Sequence, residues 1–332
     1  MESYCTYMNN AYYFLLFMMV LSCAKPQKVS PERKVTKAIA IQPKISDSLK
    51  VSFTFDDGIT RDLAGYKFQD WNQRILTALK EESIQAAFFV TGANKTDDKG
   101  EYLLNSWATD GHLIANHSYT HPNFNNEDMN KRSFEQELLK TDKVIAKYPT
   151  YKKLFRFPYL NAGKTLEQAT GYQEILKKHG YQSGRVTIDN SEWYINSQLI
   201  KCIRQEGVDS PKIRRYKDYY IQHILDKANY YERLSFAVTR RHINHTLLLH
   251  HNLTSALFLP DLIKAFRAKG WQIVDADYAF QDPFFKRNPK VIPAGESLAY
   301  AAAKATGKLE HLLLFSAEDG GREAEKMKKL GL

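Results

Sequence analysis

Val51-Ser-Phe-Thr-Phe-Asp-Asp-Gly58 is the stretch on which the fold turns. Its β-branched and aromatic residues read as a short strand, and two adjacent carboxylates stand at the C-terminal end of that strand before a glycine. Adjacent carboxylates repel each other, and a solvated turn is the ordinary reason to find them together. Phe53 and Phe55, however, argue for a buried strand running into Asp56 and Asp57, where unpaired charges are costly. A divalent cation would neutralise one carboxylate and leave the other free to act as a base. The residues alone leave the turn and the site both open.

Further strand candidates follow at Ala86–Val90, Leu113–Ala115, Leu154–Phe157, Arg185–Ile188, Thr246–Leu249 and Trp271–Val274. Between them run segments with apolar residues three or four apart, such as Trp71, Ile75, Leu76 and Leu79, then Phe134, Leu138 and Ile145. That spacing predicts helices, the second opening on a capping box at Ser133-Phe-Glu-Gln136. Strand-helix alternation of this kind predicts an α/β fold with a parallel sheet, closed or nearly closed into a barrel. A long helix from Ser210-Pro211 to about Leu234, inside an insertion at about 205–240, interrupts the rhythm. Its Tyr216, Tyr220, Ile224 and Tyr231 share one side, which suits core packing or, less commonly, a sugar-stacking platform. After Gln281 the strands stop, and Pro289 and Pro293 precede an Ala-rich helix and a charged tail.

Titratable residues recur at the strand ends. His117-Ser-Tyr-Thr-His121 follows the third strand, Arg156-Phe-Pro158-Tyr159 closes the fourth, Asp189 and Glu192-Trp193 follow the fifth, and His250-His251-Asn252 follows the sixth. In barrels of parallel strands that face is where active sites are built. Core packing would have placed apolar residues at these positions. A single helical turn would put His117 and His121 on one side, and an Asp from another strand would complete a two-His, one-carboxylate site with open positions for water and substrate. A guanidinium among Leu154-Phe155-Arg156-Phe157 needs a carboxylate partner, for which Asp56 is the candidate. His250 reads as a structural histidine or a general acid, while His251 points the other way if the strand persists.

The 332 residues are 43% hydrophobic and 13% aromatic, enough for one large core. A net charge of +10 is spread over the sequence. The small clusters at Arg214, Arg215, Lys217 and at Lys326, Lys328, Lys329 form no nucleic-acid module, so no nucleic-acid partner is expected. Three cysteines are too few for a disulfide framework. The apolar run from Ala11 to Leu21 has the length of a signal h-region and ends in Val20-Leu21-Ser22-Cys23, which resembles the bacterial lipoprotein processing box. Although no Lys or Arg precedes the run, it predicts a signal over 1–22, lipidation at Cys23 and a tether over 23–49. An ordinary signal peptide or an uncleaved anchor would serve the same export. The expected location is therefore the periplasm or cell exterior, with the membrane as a partner through the lipidated N-terminus.

Taken in order, Thr54-Phe-Asp56-Asp57-Gly58, His117-Ser-Tyr-Thr-His121, Arg156-Phe-Pro158-Tyr159, Asp189-Asn-Ser-Glu192-Trp193 and Leu248-Leu-His250 resemble the five motifs of the polysaccharide deacetylase family (carbohydrate esterase family 4, the NodB-homology domain). The resemblance covers roughly Val51 to Phe280, giving a deacetylase domain over 50–280 and a C-terminal extension over 281–332. It implies a distorted (β/α) barrel with about seven parallel strands, and hydrolysis of acetyl groups on chitin-like glycans, peptidoglycan sugars or xylan. It further implies Asp57, His117 and His121 as ligands of a divalent metal ion, usually zinc, with Asp56 as general base and Arg156 orienting it. By the same resemblance the Tyr159 N–H would stabilise the oxyanion, His250 would be the acid, and Trp193 and Leu248 would wall the acetyl pocket. The family's Asp before the Trp is Glu192 here, so tuning of the acid falls to Glu192 or to Asp189. The Tyr-rich helix is expected to cover the groove and favour short oligosaccharides or chain ends. Two other readings stand beside this one: an amidohydrolase acting on a non-carbohydrate C–N bond, and a glycan-binding lipoprotein without catalysis.

Overall fold

The computed structural model describes residues 48–314 and 319–332. The expected signal segment, Cys23 and nearly all of the tether lie outside the described residues. Among those described, no helix is long and apolar enough to cross a membrane.

Strands and helices alternate along most of the chain: β1 (Leu49–Asp57), α1 (Phe68–Glu81), β2 (Ala87–Val90), α2 (Asp98–Thr109), β3 (Leu113–Asn116), α3 (Lys131–Ile145), β4 (Tyr151–Phe155), α4 (Leu166–Lys178), β5 (Gln182–Ser183), α5 (Glu192–Glu206), α6 (Lys212–Thr239), β6 (Asn244–His250), α7 (Leu253–Ala268), β7 (Trp271–Ile273), α8 (Ala276–Phe280), α9 (Leu298–Lys304) and α10 (Gly320–Lys329). The strands pair in parallel in the order β5-β4-β3-β2-β1-β6, with β7 against the first residues of β1. β1 is central because its Val51, Phe53 and Phe55 are fully buried and its neighbours are apolar runs of the kind that parallel sheets require.

Closure of the barrel departs from the expected regular fifth strand at Arg185–Ile188. The regular pairing is confined to Gln182–Ser183, after which the chain leaves β4 and crosses to β6. There Ile188 N–H donates to Thr246 O at 3.0 Å, and Leu248 N–H donates to Ile188 O at 3.0 Å. Gly184 is the pivot of this crossing. Its N–H donates to Phe155 O at 2.7 Å, and a Cβ there would lie 2.3 Å from a ring carbon of Phe89. The result is a distorted barrel in which an irregular segment replaces a full strand.

One helix start and one helix end also differ from expectation. The α3 cap lies three residues earlier, at Asn130, whose side chain accepts from Ser133 N–H while the Ser133 hydroxyl accepts from Asn130 N–H. Ser133 is thus the second half of a capping box rather than its first. Helix α6 runs past Leu234 to Thr239 and ends on Arg240 in the left-handed conformation. Tyr216, Tyr220, Ile224 and Tyr231 are buried, in a helix packed against α5, α7 and α9. The stripe is core. The C-terminal extension also packs on the barrel, with Leu298 N–H donating to Val186 O at 2.7 Å.

Gly184→Ala is expected to lower stability by about 1–3 kcal/mol, because the added methyl must displace Phe89 and the Phe155 carbonyl. The urea unfolding midpoint of the full chain checks this.

Candidate active site

Strand register brings the polar strand ends together. The β1–β6 pairing sets Asp56 opposite His250, and the β1–β2 pairing sets Asp57 opposite Val90, whose carbonyl accepts from His117 N–H at 2.9 Å. Asp56 is buried, with Oδ1 paired to Nη1 of the fully buried Arg156. Arg156 is fixed in turn by Nε donating to Gly184 O at 2.8 Å, and its guanidinium carbon lies 3.7 Å from the centre of the Phe89 ring. Oδ2 of Asp56 faces the other way, 3.6 Å from His117 Nε2.

His117 and His121 do not share a helical turn, as the four-residue spacing suggested. They sit in a loop that turns through left-handed residues at Ser118 (φ 67°) and His121 (φ 60°). The Ser118 hydroxyl accepts from His121 N–H at 3.1 Å, which competes with helical bonding. Glu137, from α3, accepts from the N–H groups of Tyr119 and Thr120 at 2.9 and 2.7 Å and so clamps the loop. Asn116 Oδ1 accepts from Ser118 N–H at 2.9 Å.

The imidazoles still converge. His117 Nε2 and His121 Nε2 lie 3.8 and 3.6 Å from Asp57 Oδ1, and one ligand atom from each of the three residues falls within 4.8 Å of the others. A tetrahedral ion with bonds near 2.0–2.2 Å would hold its ligand atoms about 3.4 Å apart, so the set fits such an ion with little adjustment. His117 Nδ1 lies 2.9 Å from Arg156 O, which places a proton on Nδ1 and leaves the Nε2 lone pair for a metal. Burial, with the neighbouring His117, pushes His121 down to about 4, so its ring is neutral near pH 7. Asp57 is partly buried, which by itself would raise its carboxyl; the charges of His250, His117, His121 and Lys95 hold it below the ordinary value.

His250 is gripped by Glu192. One carboxylate oxygen accepts from its backbone N–H at 2.7 Å and lies 2.6 Å from its Nδ1, while the other accepts from Asn252 Nδ2 at 3.0 Å and Thr254 Oγ1 at 3.1 Å. Burial alone would push His250 down, but the Glu192 hydrogen bond and charge, aided by Asp57 and Asp56, raise it to about 10. Asp189 is buried elsewhere and exerts its charge on Arg156 and Lys227. The carboxylate on His250 is therefore Glu192. His251 packs against Trp71 and Trp107, with Nε2 2.9 Å from Asn72 Oδ1.

A cavity of about 300 Å³ joins Asp56, Asp57, both loop histidines and His250 to Tyr159, Trp193 and Leu248. Leu248 is buried in its floor, and Trp193 stands 38% exposed at its rim. Tyr159 is in the left-handed region (φ 53°), and no hydrogen bond engages its N–H among the described residues. A second hollow of about 380 Å³ shares Asp57 and His121 and runs out past Arg61, Asn94 and Tyr119. No α6 residue lines either hollow, so the helix does not cover the groove. Phe157, Leu160, Asn116, Ser118 and Glu137 complete the site without having stood out in the sequence. Of these, Ser118 and Leu160 were hidden most thoroughly, because a left-handed backbone at a non-glycine residue leaves no mark in composition.

Residues 45–184 match the model of the family described as polysaccharide deacetylase. The chain is 33% identical to a peptidoglycan-N-acetylglucosamine deacetylase of Bacillus cereus over 145 residues, 43% of this chain and 46% of that protein. A second peptidoglycan-N-acetylglucosamine deacetylase of that organism is 28% identical over 196 residues, 56% of this chain and 67% of its own. A chitooligosaccharide deacetylase of Rhizobium leguminosarum bv. trifolii is 34% identical over 100 residues, 30% of this chain and 41% of that protein. The chain thus spans from under half to about two thirds of the curated relatives it matches. Over residues 45–184 the chain is thus similar to the polysaccharide deacetylase family, and the named relatives it matches are deacetylases of glycans.

Proposed function

We propose that the protein is a divalent-metal-dependent hydrolase that removes the acetyl group from an N-acetylglucosamine-type sugar of a glycan. One observation carries the reading. A two-histidine, one-carboxylate cluster, an arginine-held carboxylate and a glutamate-held histidine all open onto the same cavity. The relatives named for deacetylation of peptidoglycan and chitooligosaccharide support the substrate class.

Asp57, His117 and His121 would hold the ion, zinc by the mix of nitrogen and carboxylate donors. When bound, such an ion polarises the attacking water and the acetyl carbonyl. Asp56 Oδ2, turned away from Arg156, receives the proton of the attacking water, while Arg156 keeps Oδ1 engaged. The Tyr159 N–H meets the charge that develops on the carbonyl oxygen. Trp193 and Leu248 confine the acetyl methyl. His250, with Nδ1 committed to Glu192, presents Nε2 and protonates the leaving nitrogen, which is a poor leaving group until protonated. Acetate and a free amine result. A role limited to glycan binding would leave the Glu192–His250 pair and the raised imidazole without a use. Export of this domain from a lipidated Cys23 completes the proposal and rests on Val20-Leu21-Ser22-Cys23.

Metal-loaded full-chain protein should release acetate from chitooligosaccharides or peptidoglycan, and a chelator should stop it; no release from either, with metal bound, would overturn the reading. Asp56→Asn should lower kcat by about a hundredfold or more. The double variant His117→Ala with His121→Ala should lose stoichiometric metal, read by metal analysis after gel filtration. In Glu192→Gln the charge that raises His250 is gone and burial dominates, so the imidazole loses its proton at lower pH. The alkaline limb of the kcat–pH profile should therefore move to lower pH, and an unmoved limb would refute the acid assignment.

A further inference from the structure

We infer that α10, at the C-terminal end of the chain, belongs to the positioning machinery of the active site, with Glu323 acting through His223 on the turn that carries Glu192. The inference rests on the deacetylase reading for its catalytic consequence and on geometry for the link itself.

Glu323 is 2% exposed, although it sits on a helix whose other charges face outward. A helix that served only as a staple would bury apolar residues, as α10 does with Met327, and a buried carboxylate has to be matched by strong partners. Glu323 has two. It accepts from the Tyr219 hydroxyl, and its Oε1 lies 3.1 Å from Nδ1 of the buried His223. The opposite nitrogen of that ring, Nε2, accepts the backbone N–H of Ser191 at 3.1 Å. The tautomer follows: Nδ1–H donates to Glu323, and the Nε2 lone pair receives the amide.

Ser191 immediately precedes Glu192. The other side of the turn is tied to the barrel, with Asn190 Nδ2 donating to Leu248 O at 2.7 Å and Asn190 Oδ1 accepting from Glu192 N–H at 2.9 Å. The carboxylate that grips His250 therefore leaves from a turn pinned by β6 on one side and, through His223, by α10 on the other. A second contact reaches the same site independently. A Cβ on Gly320 would lie 2.9 Å from Cη2 of Trp193 and 3.3 Å from Cδ2 of Tyr194. Gly320 lacks a side chain because the rim tryptophan occupies the space. One helix thus bears on both the acid and the pocket wall, which makes Glu323 and Gly320 positioning residues for this chemistry.

The test compares Glu323→Ala with Glu323→Gln in metal-loaded full-chain protein, reading acetate release together with amide exchange of the 188–194 segment by mass spectrometry. Glu323→Ala should lower kcat about tenfold, a part of what a general acid contributes, with KM held within about twofold. It should also speed exchange in that segment alone, while Glu323→Gln, which keeps an oxygen for His223 Nδ1–H, restores both. Gly320→Ala, which leaves the Glu323 link in place, should instead raise KM by displacing Trp193. Unchanged kcat in Glu323→Ala, exchange that rises across the whole barrel, or a Gln variant as impaired as Ala would each overturn the inference. If the parent protein releases no acetate, localised exchange in Glu323→Ala still supports the link, and the failure falls on the proposed function alone.

Discussion

The buried pair between Asp56 and Arg156 is the constraint around which the site is organised. Two desolvated charges are held there by a close contact, by the Gly184 carbonyl and by the face of Phe89. A buried pair of this kind adds little net stability, and removing one partner leaves a costly orphan charge. Its value lies in geometry. Arg156 takes one oxygen of Asp56 and leaves the other toward the Asp57–His117–His121 cluster, and the Arg156 carbonyl fixes the tautomer of His117. The same residue reaches Gly184, where the barrel abandons regular pairing. The distortion of the barrel and the orientation of Asp56 thus meet at one residue, Arg156, just past β4, whose Nε and Nη1 are both engaged.

Backbone strain is concentrated where this constraint acts. Nine described non-glycine residues have positive φ, and five of them, Asp57, Ser118, His121, Tyr159 and Leu160, belong to the site or line it. Such conformations persist only where the surroundings over-determine them. Here they are held by Thr91 Oγ1 donating to the Asp57 carbonyl at 2.9 Å, by Glu137 and Asn116 on the histidine loop, and by Phe157 O accepting from Leu160 N–H at 3.0 Å. Asp57, His121 and Tyr159 are thus aimed by backbone rather than by rotamer alone, which limits how far they can relax.

Much of this was legible from the residues, and what was not has physical reasons. Apolar runs in β1, β2, β3 and β6 announced themselves because a strand buried on both faces admits little else. Titratable residues at their ends stood out by contrast. The fifth strand was misplaced because Arg185–Ile188 has strand-like composition, whereas the close approach of Gly184 to Phe89 is a tertiary fact. The histidine spacing suggested a helical turn because i,i+4 has that meaning in isolation; Ser118 and Glu137 impose a different loop. The start of α3 was misread because Ser133 can open a capping box or answer one, and only Asn130 upstream decides between them. The choice between Glu192 and Asp189 depends on where α5 begins, which sequence spacing does not set.

Glu192 shows how a departure from a motif is absorbed. The motif it resembles carries Asp before the tryptophan, and a longer side chain at that point would overshoot a histidine placed for the shorter one. In this chain Glu192 opens α5, and its carboxylate meets both the N–H and Nδ1 of His250, while Asn252 and Thr254 take the second oxygen. Four contacts restrain the extra rotatable bond. A flexible carboxylate would lose much of its influence on the imidazole to rotamer entropy. One clamped from both ends of the turn, by Asn190 to β6 and by Ser191 to His223, keeps it. The longer acid is thus compatible with a protonated His250 because the surrounding turn is rigid, and that rigidity is distributed over α5, β6 and the C-terminal extension rather than contained in the motif itself.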